Sequence, residues 1–141
     1  MLRQEEVGMT ELKFSVPALA PSGNHYVKHA GGRHYRSQPA IRWDSTVAAF
    51  VQGRFVMADY YHIEIDFTVK DKKRKDIDNL TKCSLDALCH CGAIGDDSRV
   101  MVLILRKHFG AEERTDFTIR DMGLTEDNPN SFQQEVFAVE F

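Results

Sequence analysis

The sequence predicts an α+β domain, and three observations predict it. Apolar and polar residues alternate strictly from Tyr61 to Val69, the pattern of a half-buried strand. Leu80, Ser84, Ala87, Leu88 and Cys91 then recur at helical spacing. Behind that helix comes the continuous run VMVLILRKHF, which reads as a further strand. Strands and helices that succeed one another in this way build one mixed layer packed by helices.

Taken in order, Leu12, Phe14 and Val16 alternate with Lys13 and Ser15 as a short first strand. A polar loop is expected from about Pro17 to Gln38, where PSGNHY and HAGGRHY hold glycine pairs, a proline and scattered His and Arg. Pro39 suits the first turn of a helix, whose apolar stripe is read as Ile41, Val47, Val51 and Phe55 with Trp43 beside it. The Tyr61–Val69 strand runs into the basic loop KDKKRK, and the second helix follows, with Gly92 as its stop. An acidic turn, GDDS, leads to VMVLILRKHF, and a last strand is expected around TDFTIRD. The domain is bounded as residues 12–123, between an acidic extension at 1–11 and an acidic tail at 124–141.

At 141 residues and 43% hydrophobic content the chain has the size and composition of one domain with a real core. No apolar run approaches the roughly 20 residues that span a bilayer. The first residues are acidic where a secretory signal would be apolar, so a soluble, cytoplasmic protein is expected. Cys83, Cys89 and Cys91 lack the second ligand pair that structural zinc uses, and they read as reduced thiols packing the helix. The net charge of −3 conceals a division: residues 12–120 carry 17 Lys and Arg against 13 Asp and Glu, a net of +4, between acidic ends. A basic body of this kind fits a nucleic-acid partner.

Asp76 and Asp78 straddle the entry of the second helix, where an extended chain projects them to one side and Asp78 is placed to cap the helix. Lys82 follows one turn later. Asp96 and Asp97 stand after a helix of about 14 residues, roughly 20 Å long. For Asp97 to meet Asp76, the strand after it must pair beside Tyr61–Val69. Carboxylates with open positions suit magnesium, which takes oxygen ligands and keeps water and phosphate in its shell. Such an ion activates water and offsets charge in phosphodiester hydrolysis, and a nearby lysine assists at the phosphate. The same residues also read as helix capping and ordinary turn chemistry.

The segment RKDIDNLTKCSLDAL…GDDSRV resembles the RusA family of Holliday junction resolvases, with its D-[LI]-D-N-L-x-K helix entry, x-D-A-L and later D-D pair. Asp76, Asp78, Asn79, Leu80, Lys82, Asp86, Ala87, Leu88, Asp96 and Asp97 fall on that pattern. PSGNHYVKHAGGRHYRS, KKRK and TDFTIRDMG extend the likeness over roughly residues 12–123. The resemblance implies a small mixed sheet packed with two main helices, a homodimer, and Mg²⁺-dependent paired nicking of four-way DNA in recombination and repair. It implies Asp76, Asp78 and Asp97 as metal-binding catalytic acids, with Asp96 ranked below Asp97, and Lys82 as the essential lysine. Lys72, Lys73, Arg74 and Lys75 are expected on the DNA backbone, with Arg33 and Arg36 as further phosphate contacts. A broader branched-DNA or flap nuclease is the rival enzymatic reading. A junction-binding protein without cleavage is the rival from another class. The acidic tail departs from the family pattern and is a candidate protein-binding segment.

Overall fold

The computed structural model describes residues 9–22, 27–30, 33–70 and 76–127, with the backbone alone at 27–30 and 33–36. The elements are β1 (Glu11–Val16), β2 (Val27–Ala30), β3 (Arg33–Arg36), α1 (Gln38–Val51), β4 (Tyr61–Val69), α2 (Ile77–His90), β5 (Val100–Phe109) and β6 (Arg114–Asp121). A 3₁₀ turn, Asp97–Arg99, leads into β5. The α+β class, the mixed sheet and the two helices are as expected.

Four strands form one sheet in the order β1-β6-β4-β5. β6 runs antiparallel to both β1 and β4, whereas β4 and β5 are parallel. Parallel neighbours require a crossover, and α2 supplies it by running back along the sheet. β2 and β3 form a separate antiparallel hairpin. The segment expected to be loop from Pro17 to Gln38 therefore contains two short strands.

One face of the sheet makes the core. The alternation in β4 buries Tyr61, Ile63, Ile65, Phe67 and Val69, and the first four share a core with Leu12, Phe117 and Ile119 in the sheet and Val47, Cys83 and Leu88 from the helices. α1 opens at Ser37, whose hydroxyl accepts from the Ala40 amide at 3.3 Å, with proline in the first turn. It turns Ala40, Trp43, Val47 and Val51 inward. Ile41, placed in the stripe from sequence, is 43% exposed, and Phe55 lies beyond the helix, which stops at a left-handed Gln52. Trp43 takes the core position instead, because four-residue steps from Val51 pass through Val47 to Trp43.

The opposite face is charged and half-buried. Arg106 donates to Glu64 at 2.6 Å and to Asp66 at 3.3 Å, Arg120 reaches Glu64 at 3.2 Å, and His108 Nε2 lies 2.8 Å from Asp66. Burial pushes the Glu64 carboxyl up, but its hydrogen bond to Arg106, then the charges of Arg106, His62 and Arg120, hold it below the usual Glu value. A carboxyl lowered in the folded state contributes stability above its unfolded pKa and loses it as pH falls through the folded one. Arg106→Gln is thus expected to cost about 1 kcal/mol at neutral pH and to move acid unfolding, followed by circular dichroism, to higher pH. An unchanged midpoint would remove this network from the acid stability of the fold.

Candidate active site along helix α2

Asp76 is the N-cap residue of α2, yet its exposed carboxylate makes no capping hydrogen bond. An aspartate here ordinarily accepts from an amide of the first turn, so this carboxylate stands clear of the helix. Asp78, placed as the cap from sequence, sits inside the first turn, with Oδ1 accepting from the Asn79 amide at 3.0 Å. The two acids therefore do not occupy an extended chain. What they share is the positive end of the helix, where negative charge is favoured.

Lys82 is exposed, one turn beyond Asp78, and its Nζ lies 3.4 Å from Asp86. The lysine thus bridges forward along the helix to a carboxylate on the same face. Asp86 has a side chain only 15% exposed. Sequence spacing carried a signal for it, since 78, 82 and 86 are successive four-residue steps, but no role had been attached to it.

The acidic turn lies at the other end of α2. Asp96 caps the 3₁₀ turn, accepting from the Ser98 amide at 2.9 Å, and hydrogen bonding to Ser98 lowers its carboxyl. Asp97 follows as the first residue of the turn, also exposed. Burial raises the Cys89 thiol first and the Asp97 carboxylate adds to it, against a backbone hydrogen bond at Asp97, with Asp86 and Asp96 contributing further. The acidic turn therefore faces the last turns of α2.

The direction of β5 sets this arrangement. β5 does pair beside β4, as required for Asp97 to approach, but the pairing is parallel and begins at Tyr61 opposite Val100. Asp97 consequently enters where β4 starts, whereas Asp76 follows where β4 ends. From Asp78 to Cys89 the helix rises about 16 Å. Among the described residues no three His, Cys, Asp or Glu side chains converge to hold an ion. Lys72, Lys73, Arg74 and Lys75 lie outside the described residues, and Arg33 and Arg36 are described by backbone alone, in β3.

A cleft of about 630 Å³, lined by Asp66, His108, Arg114 and Asp116 among others, contains none of the predicted site residues. No helix among the described residues is long and apolar enough to cross a membrane.

Residues 18–120 match the family described as endodeoxyribonuclease RusA. The chain is 32% identical over 107 residues to the crossover junction endodeoxyribonuclease of Enterobacteria phage 82, covering 73% of this chain and 89% of that protein. It is 30% identical over the same length to the protein of that name from Escherichia coli K12, and 29% to that of Shigella sonnei, with the same coverage. The matched span contains β2 through most of β6, and with them the acids at both ends of α2. This chain belongs to the endodeoxyribonuclease RusA family, and with it to the DNA endonucleases.

Proposed function

We propose that this protein resolves four-way DNA junctions by paired, symmetric, Mg²⁺-dependent nicks, and that its metal centre is shared between two copies of the chain. The observation that carries the reading is the placement of exposed carboxylates at opposite ends of α2, Asp76 and Asp78 at one and Asp97 at the other. Among the described residues no three carboxylates converge at either end. A two-fold partner with its α2 antiparallel supplies the missing acid at each end, and the dimer then holds two equivalent centres for two strands.

β5 supports a partner in that orientation. It is one of the two edge strands of the sheet, ten residues long, with Leu103 38% and Phe109 61% exposed. Long apolar edges are sites of pairing with another chain. Antiparallel pairing of β5 with its own copy sets the start of one strand against the end of the other. The start carries Asp97. The end pairs with the last residue of β4, from which the chain proceeds to Asp76. Leu103→Lys is accordingly expected to shift the protein to monomer in sedimentation and to abolish nicking together. Full nicking by a monomer would exclude the shared centre.

The donor set fits magnesium, being made of exposed carboxylate oxygens. When bound, the ion supplies an activated water and offsets charge at the scissile phosphate. Asp76, Asp78 and the partner's contribution through Asp97 would hold it. Lys82, held on the same helix face by Asp86, would present its ammonium to the phosphate. Lys72, Lys73, Arg74, Lys75, Arg33 and Arg36 would meet the DNA backbone, whose counterion release makes binding salt-dependent. Incubation of the protein with a labelled four-way junction, flap and duplex DNA, with and without magnesium, tests the reading.

A further inference from the structure

Arg99 ends the 3₁₀ turn that carries Asp97. Its guanidinium lies over the Tyr60 ring, 5.5 Å from the centroid, and its Nη1 lies 2.5 Å from Glu126 Oε1. Both side chains face solvent, at 41% and 61% exposure. Stacking on an aromatic face fixes the plane of a guanidinium and leaves its N–H edge to bind a carboxylate or a phosphate.

Glu126 is brought there by local folding of the chain after β6. The Met122 amide donates to the Tyr60 carbonyl at 3.0 Å, and the Gly123 amide donates to Asp121 at 2.8 Å. Gly123 adopts φ 72, a conformation glycine enters without cost. Leu124 is then buried at 7% exposure. These contacts lay the segment beside Tyr60 and bring Glu126 to Arg99. Glu126 lies outside residues 18–120, the span matched to the family.

We infer that Arg99 binds a DNA backbone phosphate next to Asp97, and that Glu126 occupies that position in the DNA-free protein as an internal competitor. The inference rests on the proposed nuclease function. Carboxylate and phosphate meet arginine through the same charge-assisted pair of N–H donors, so one excludes the other. An ion pair this exposed is weak, and a phosphate presented by a junction displaces it at small cost. The segment after β6 thus sets the affinity for DNA from within the chain.

The test is equilibrium binding of the full chain to a labelled four-way junction, without divalent ions, over a range of salt. Glu126→Gln is expected to tighten binding about two- to fivefold, the release of one exposed pair. Arg99→Ala is expected to weaken it about tenfold and to reduce the salt slope by about one. Arg99→Lys, which keeps the charge and loses the fork, should fall between, and thermal melts confirm that each variant is folded. In the Arg99→Ala background, Glu126→Gln should change nothing. Equal tightening in both backgrounds would reduce Glu126 to a generic repulsive charge and overturn the inference. An unchanged affinity in folded Arg99→Ala would overturn it as well, leaving the nuclease reading intact. Wild-type protein that binds no DNA at all would overturn both.

Discussion

Protomers carrying Asp76→Asn, mixed with protomers carrying Asp97→Asn, are expected to recover nicking that neither variant performs alone. In a shared centre, Asp76 and Asp78 come from one chain and Asp97 from the other. A mixed dimer then gathers both substitutions into one centre and leaves the second intact. Random reassociation yields about a quarter of the wild-type number of intact centres. Because each mixed dimer has one working centre, it should nick one strand of a junction and not its symmetric counterpart. A centre built within one chain predicts no recovery, since every copy then carries a lesion. Co-expression with two different tags isolates the mixed dimers, and single-turnover nicking reads the outcome.

Each substitution alone carries the second large effect. Asp76→Asn and Asp97→Asn should each lower magnesium-dependent nicking by at least about a hundredfold, since even residues that merely orient a ligand cost 10- to 100-fold. Junction binding should hold or tighten, because neutralising an acid beside phosphate removes repulsion. Lys82→Ala should separate differently, lowering the rate far more than the affinity. Wild-type nicking in either aspartate variant would remove that residue from the metal centre.

The elements whose sequence had one dominant period were legible. β4 alternates without a break because one face is core and the other is the Glu64–Asp66–Arg106 network, and its bounds matched residue for residue. β5 was legible as a continuous apolar run, an edge strand with apolar side chains on both of its faces. α1 was less so. Its stripe was drawn through Ile41 and Phe55, whereas the core takes Trp43, because an apolar residue on the solvent face looks the same in sequence. The hairpin β2–β3 was missed although Gly31-Gly32 separates its strands, since His, Arg and Lys there obscure any alternation.

The sequence offers candidate site residues but not their geometry. The helix entry, the lysine and the acidic pair could be named from spacing and resemblance. Their separation follows from strand direction, for a helix of this length returns the chain to the start of β4 and makes β5 parallel to it, a consequence that spacing alone does not display. Parallel pairing puts Asp97 at the far end of α2 from Asp76, and for this reason the proposed centre draws on a second chain. Glu126 was equally hidden, since an acid in a polar tail carries no sign of the arginine it meets.

The most direct measurement is the fate of a labelled synthetic four-way junction, with linear duplex, flap and single-stranded DNA as controls, with and without magnesium. Paired nicks at symmetric positions are expected, on the junction alone and only with the metal. Nicking of every branched form would contradict junction selectivity and identify a broader nuclease. Tight junction binding without nicking under any divalent ion would contradict the metal centre itself.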